Sequence, residues 1–528
     1  MNGARRLQQL LKIGTARAGR VPAGLAAPLD ALLPATAAAV PEAGLWLSLG
    51  TLDLWARSGF VAPDHPAPAP VQAAAPETLR ACPPRAQAVL AMLLRGLHPA
   101  GLEAEWLRLL QRQGGRLPAH FLPKLLDAAT RQPALRAPLA SVLGARGHWL
   151  ARLQPEWSWA AAGADVDASL WDAGTPEQRV AALRDWRMRD PQAARAALAA
   201  AWNSEPPEQR AALLAVLAAG LGPDDEAFLD AALDDRRKEV RVVAQRLLAR
   251  LPGSRLAQRM RERLLPLLRL DKPLLRAARI ELTLPAACDA AMRRDGVGAA
   301  PHPGLGEKAG WVVDMLAAVD PQVWTRQFDR APRACLALVE RSEFAAVLVR
   351  GWALAVQHHA ANAPSPGLLA WLYDLTAWWA NAGPSLREAV PDSLFDLVAA
   401  GFAQDVDGAS SALFDALPGA WMSDGARVRL LARLAAGSSA TWPAPLSECA
   451  LQRLRPALAA PADTGHPWLV RQLLSSLALV LDPATAAGRE PAWRAAGQPD
   501  AQWQGAIDEF FDLVRLRHEM TLSFQEIA

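Results

Sequence analysis

The sequence predicts an all-α fold: an α-solenoid of stacked antiparallel helix pairs, irregular outside residues 175–280. Three observations predict it. T-P-E-Q-R at Thr175–Arg179 returns as P-E-Q-R at Pro207–Arg210, 31 positions on, and each copy leads into an apolar helical pattern. That pattern is Val180, Leu183 and Trp186 in the first copy and Leu213, Leu214 and Leu217 in the second. Leu233–Pro252 then sets Val240, Val243, Ala244, Leu247 and Leu248 on one face at the period of an amphipathic helix. Finally, Ala and Leu dominate a chain that is 52% hydrophobic while β-branched residues are sparse, which favours helix. A short helix pair cannot bury its apolar face alone, so a repeat of this period implies stacked neighbours.

At 528 residues the chain exceeds one ordinary core. Residues 1–60 form an N-terminal helical segment, with a short helix at Arg5–Ile13 and a longer apolar segment at Gly44–Trp55. Residues 61–83 read as a Pro/Ala-rich linker or surface loop, with five prolines between Val61 and Glu77. Residues 84–160 are helical hairpins, broken at His98–Gly101, Gly114-Gly115 and Gln132-Pro133. Trp149, Trp157, Trp159 and Trp171 gather about the loop Ala161–Gly174, as packing between subdomains or as a recognition platform. Residues 161–284 are the repeat region, in which Thr175 and Gln178 make a capping box around Pro176. Within it Asp235, Val240, Arg241, Ala244 and Leu248 resemble the pattern of a HEAT repeat, so the solenoid expected is HEAT-like. It continues through Leu256–Ile280 as two further leucine-rich segments. Residues 285–306 read as a Gly/Pro-rich linker, a domain boundary or a mobile excursion. Residues 307–528 form a C-terminal repeat-like helical domain that opens on Trp311, Val312 and Met315, and Met520–Gln525 reads as an extended tail.

Charge is uneven along the chain. Between Arg236 and Arg279 there are 14 Arg or Lys against 3 acidic residues; between Leu369 and Gly425 there are 8 acidic residues against 1 Arg. The formal total of +3 conceals this polarity, which bears on partners rather than fold. Across a common solenoid face, Arg237, Arg241, Arg246, Arg250, Arg255 and Arg259 form a candidate stripe for phosphates or for an acidic protein. A structural use competes, pairing Asp234 or Asp235 with Arg241 and Glu239 with an arginine one turn away. Aromatic stacking residues are missing from the basic segment, which favours protein or structural use over nucleic acid. The excess of 51 Arg over 5 Lys reflects base composition and says little about chemistry.

No motif predicts catalysis, a cofactor or a metal. The glycines of Gly304–Gly310 follow coil rather than a strand, so they do not make a dinucleotide loop. His358 and His359 are adjacent and point about 100° apart on a helix. Asp224-Asp225-Glu226 follow Gly222-Pro223 at a helix start and read as caps. Cys82, Cys288, Cys335 and Cys449 are far apart, which predicts neither a disulfide framework nor structural zinc and fits a reducing cytoplasm. Arg5 and Arg6 precede an apolar run broken by Lys12 and Arg17, too short for an export signal, and no stretch reads as a membrane span.

L-L-K-I-G-T-A-R at Leu10–Arg17, R-G-H-W-L-A-R-L-Q-P-E-W-S-W at Arg146–Trp159, the Asp234–Ser254 stretch and G-E-K-A-G-W at Gly306–Trp311 together carry a resemblance over the full length. By these motifs the chain resembles a bacterial family of HEAT-like helical proteins known only as domain of unknown function 5691. That resemblance implies company with MoxR-type AAA+ ATPases and von Willebrand factor A-like proteins, and hence an adaptor role beside such an ATPase. The family supplies no catalytic residues; Glu307, Lys308 and Trp311 stand in its motif as a possible functional surface. The function expected is therefore a non-enzymatic, cytoplasmic scaffold that binds protein partners. Nucleic-acid binding through residues 236–279 and an enzyme built from dispersed residues are the alternatives.

Overall fold

A computed structural model describes residues 3–18, 40–58, 72–96, 98–99, 101–161, 168–272, 278–360, 365–402, 410–418, 421–459, 466–495 and 503–525. Helix accounts for 72% of the chain and strand for 3%. The chain divides into Met1–Ala73 and Ala74–Ala528, a division that falls inside the Pro/Ala-rich stretch. Part of that stretch, residues 61–71, lies outside the described residues.

Among the described residues the first unit holds two longer helices and the short helix Thr15–Ala18. Gly3–Ile13 turns Leu7 and Leu10 onto Leu45 of Pro41–Ser58, with Leu49 and Leu52 alongside. Gly14, at a φ of +83°, breaks the first helix from Thr15–Ala18, and the Thr15 hydroxyl donates to Glu42.

The second unit begins with the predicted hairpins. Pro84–Leu93, Leu102–Arg112, Leu122–Arg131 and Gly144–Leu153 enclose Leu90, Trp106, Leu107, Leu110, Leu125 and Leu126. The Glu77 carboxylate accepts from the amides of Ala145 and Arg146 at 2.8 and 3.1 Å, capping the last of these helices. Gly144 sits at φ +65° with Glu77 in the space a Cβ would take, so both conformation and room require glycine there.

This hairpin module shares its core with the far end of the sequence. Met520 and Phe524 are buried in it, and Phe524 lies 5.3 Å from the Trp106 ring. The fully buried Arg517 clamps Glu105 through both carboxylate oxygens, at 2.7 and 2.8 Å, and donates to the carbonyls of Ala478 and Leu481. Residues 412 positions apart are thus joined by a bidentate, charge-assisted pair. The predicted extended tail is a correction on the same ground. Helix Gln504–Leu522 runs into it as far as Leu522, because Met520 has a core to enter.

Between these ends the helices pack in two successions. Glu307–Ala317, Ala345–Ala360, Ser393–Phe402, Gly425–Gly437, Pro467–Val480 and Gln504–Leu522 each pack on the next. Pro332–Val339, Pro366–Asn381, Ser411–Asp415, Ala444–Ala459 and Pro483–Ala495 do the same. Members of the two successions also touch each other, as Ala345–Ala360 does with Pro366–Asn381. Upstream, Pro176–Arg189, Pro207–Ala215 and Lys238–Leu248 make a similar sequence of contacts.

Two stretches differ from expectation. Leu268–Asp271 and Arg279–Leu282 form an antiparallel ribbon where helix was expected, pairing Leu268 with Leu282 and Leu270 with Ile280. Leu268, Ile280 and Leu282 are buried while Arg269, Arg279 and Glu281 are exposed, the two-residue alternation of a half-buried strand. Residues 285–306 belong to the second compact unit and bury Cys288, Met292, Asp295 and Val297, with a helix at Ala290–Arg294.

The Arg517–Glu105 pair generates a direct expectation. Glu105→Ala strands a buried guanidinium, so unfolding by urea should show a loss of about 3–5 kcal/mol.

Candidate functional site: the basic surface and its carboxylate partners

A helix that ends leaves carbonyls unpaired, and the helix after it leaves amides unpaired. Three junctions meet this with the same residues at the same spacing. Trp171, Pro176 and Arg179, Trp202, Pro207 and Arg210, and Trp379, Pro384 and Arg387 all read W-x4-P-x-x-R. The proline opens the second helix, where no amide partner is needed. The arginine lies over the indole, its Cζ 4.7, 5.6 and 5.0 Å from the ring centre. Its Nε then donates to a carbonyl at the end of the first helix or just after it: Trp171 O at 2.8 Å, Glu205 O at 3.2 Å and Trp379 O at 3.1 Å. The rest of the guanidinium reaches a carboxylate further along the chain. Arg179 meets Glu205 at 2.7 Å, Arg210 meets Asp235 at 3.1 Å and Arg387 meets Asp424 at 2.8 Å. The Glu205 hydrogen bond pushes the Arg179 pKa up.

Asp225 is more than the helix cap its sequence predicts. It accepts from the Gly222 amide at 3.0 Å, and its carboxylate is the buried partner of Arg187, with one bond of 3.1 Å. Arg187 also donates to the carbonyls of Pro191, Ala219 and Gly220, so every face of this buried cation is engaged.

The six arginines of the predicted stripe fall into three groups. Arg237 is exposed and pairs with Glu208 at 3.0 Å, and Arg241 donates to the carbonyls of Asp235 and Arg236 at 2.8 and 2.9 Å. Arg246 is exposed and Arg250 half-buried; burial lowers the Arg250 pKa, and both charges are felt at His358. Arg255 and Arg259 both approach Asp230, and they also hold Glu226 and Asp295 respectively. Arg263 completes the hold on Asp295 at 2.8 Å, while Arg294 pairs with Asp234 at 2.7 Å. The local structural use of arginine is therefore real, although with carboxylates 25 to 60 positions away more often than one turn away. Arg236, Lys238, Arg246 and Arg261 are exposed and have no carboxylate partner among the described residues. The acidic segment is treated alike: Arg433 takes Asp392 and Asp396, and Arg453 lies near Asp415.

Of the Gly306–Trp311 motif, Glu307 and Lys308 are exposed in the first turn of Glu307–Ala317. Trp311 is a correction to the possible functional surface, since it is buried in the core. The motif works by close packing. Gly310 leaves room for the His302 ring, 3.2 Å from where a Cβ would stand, and Gly298, at φ +74°, lies against the Trp311 indole. Asp314 then accepts from the Gly298 amide and bonds His302 Nε2, both at 2.8 Å, fixing the preceding loop.

The remaining candidates disperse. His358 bonds Ala317 O at 2.8 Å, and burial lowers its pKa; His359 is buried on another side of the helix, and burial holds it down at about 4. Burial raises Cys335 and Cys449 to about 11 each. The tryptophans do not form one platform. Trp157 and Trp159 donate to Asp127 and Thr130 of the hairpin module, while Trp171 packs on Trp186 in the larger core. A hollow of about 530 Å³ lies between the His98-Pro99 turn and helices Pro467–Val480 and Gln504–Leu522, with Glu509 and Asp512 on its wall. Among the described residues no three His, Cys, Asp or Glu side chains are grouped to hold a metal, and no helix is long and apolar enough to cross a membrane.

The profile of the family of unknown function (DUF5691) matches residues 6–524. The chain belongs to this family. No curated protein and no solved structure matches it. In this DUF5691 member the family match takes in all three W-x4-P-x-x-R junctions and the arginines of residues 236–263.

What the sequence reading missed in this site is the tryptophan of each junction, Asp295, and the Arg187–Asp225 pair. The first was available as a spacing; the others join distant segments and leave no local signal. Asp295 gives a test. Burial alone would raise its pKa, but hydrogen bonds from Arg259 and Arg263 outweigh that and hold it below the ordinary 3.8. A carboxylate depressed in the folded state stabilises fully above its unfolded value and loses that contribution as pH falls through the folded one. Calorimetry from about pH 5 down to about pH 3 should therefore show a steeper fall in Tm for the wild type than for Asp295→Asn.

Proposed function

We propose that residues 74–528 form an α-solenoid of HEAT-like helix pairs that serves as a non-enzymatic scaffold or adaptor. Its basic surface, formed by Lys238–Leu248 and Arg255–Leu264 with the turn before them, receives an acidic surface of a protein partner. Two successions of helices, each packed on its neighbour, support the solenoid reading. The recurrence of W-x4-P-x-x-R at a 31-residue step, and again in the C-terminal half, supports it further.

The observation that carries the binding reading is the sorting of the cations. Arg210, Arg241, Arg259 and Arg263 are held by carboxylates or carbonyls and build a fixed frame. Arg236, Lys238, Arg246 and Arg261 project from it, exposed. Preformed cations on a rigid support steer an acidic partner and fix its orientation. Nucleic acid fits less well. Phosphates approaching Arg237, Arg255 or Arg259 also meet Glu208, Glu226 and Asp230, so each neutralised phosphate brings a repelled one. The family resemblance points to a MoxR-type AAA+ ATPase or a von Willebrand factor A-like protein as that partner, with the cytoplasm as the setting.

Charge reversal at four positions, Arg236→Glu, Lys238→Glu, Arg246→Glu and Arg261→Glu, tests this. Affinity capture from nuclease-treated native lysate should recover such an ATPase or A-domain protein with the wild type. Recovery should fall about tenfold or more with the reversed chain, at an unchanged Tm. Wild-type binding to duplex DNA with a log–log salt slope near about −4, lost on reversal while protein capture persists, would contradict the proposal.

A further inference from the structure

Helix Pro41–Ser58 carries two apolar faces, and the described residues of its own unit cover one. Leu45, Leu49 and Leu52 turn to Leu7 and Leu10 of the first helix. On the opposite side Trp46, Leu47 and Leu54 stand 68%, 52% and 68% exposed, with Trp55 at the flank. Trp46, Gly50 and Leu54 follow at four-residue steps, so they lie in one stripe. Among the described residues the core of this unit is Leu7, Leu10 and Leu45, small for a body that must hold itself together. A contiguous stripe of exposed Trp and Leu is the mark of a surface that is covered.

We infer that the cover is the same stripe on a second copy of this chain, crossed antiparallel about a two-fold axis at Gly50 to make a four-helix bundle. An isologous interface demands that a patch complement itself, and this one does. Reversal about Gly50 sets Trp46 against Leu54 of the second copy, and Leu54 against its Trp46. No contact among the described residues calls for Gly50: a helix interior disfavours glycine, and beyond its own helix backbone and chain neighbours no described atom lies within 4 Å of where its Cβ would stand. At the crossing point, the missing side chain lets two backbones approach closely. Charge agrees with the direction. Glu42 lies in the first turn and Arg57 in the last, so antiparallel copies bring opposite signs together at both ends. Within one copy Glu42 takes the Thr15 hydroxyl and Arg57 pairs with Asp53, yet Arg57 stays exposed to a further carboxylate. The stripes of two copies cover on the order of 1,000 Å², the lower edge of a stable interface.

Sedimentation of the full chain tests the inference. The wild type should show twice the monomer mass of 56.5 kDa. Gly50→Gln fills open space in the unit and favours helix, so helicity by circular dichroism should hold while dimer affinity falls about tenfold or more. Gly50→Cys, on the axis, should cross-link to its own copy under mild oxidation, beyond any background from the native cysteines. Glu42→Cys should not, since its two copies would lie about 24 Å apart. The inference is overturned by a monomeric wild type, as when another part of the chain covers the stripe. It is equally overturned by a dimer indifferent to Gly50→Gln, or by cross-linking at position 42 that matches position 50.

Discussion

An arginine folded back over the tryptophan of the preceding helix and clamped on a distant carboxylate is the interaction on which the second unit depends. It answers three needs at one junction. The indole gains a cation over its face, a helix-end carbonyl gains a donor, and the remaining N–H groups fix the position of the next connection. Arg179, Arg210 and Arg387 each do this, and lysine could not, because it lacks the planar fork that divides between carbonyl and carboxylate. Arg187 and Arg517 extend the same logic into full burial, where the ion pair is sustained by additional backbone carbonyls.

This use of arginine changes the meaning of charge along the chain. The basic block at residues 236–279 and the acidic block at 369–425 look like two poles in sequence. In space much of each is answered by its neighbours in the fold: Asp230, Asp234 and Asp295 among the arginines, Arg427, Arg433 and Arg453 among the acids. Surface available to a partner is what the frame leaves unanswered. A partner reading based on the total charge of a segment overstates it.

Helix content and the local caps were legible because they are local. The Thr175–Gln178 capping box forms as the spacing requires, with both reciprocal bonds present, and Val240, Ala244, Leu247 and Leu248 are buried as their period demands. The 268–282 ribbon was not, since its leucines read equally as a helical stripe until a partner strand is known. Residues 285–306 looked like a linker from glycine and proline, yet Asp295 holds Arg259 and Arg263, which sequence alone places elsewhere. Trp311 was misplaced for a related reason: a motif tells that residues matter, while Gly298 and Gly310 show that this one matters by packing. The meeting of Glu105 with Arg517 had no local signature at all.

If the clamp is what fixes one junction to the next, its partners must be energetically coupled. A double-mutant cycle on Arg179→Met and Glu205→Gln, followed by urea unfolding, measures that coupling while leaving an apolar stem on Trp171. The expected coupling energy is about 2 kcal/mol or more. Effects that add to within about 0.5 kcal/mol would contradict it, because the junction would then be held by packing alone.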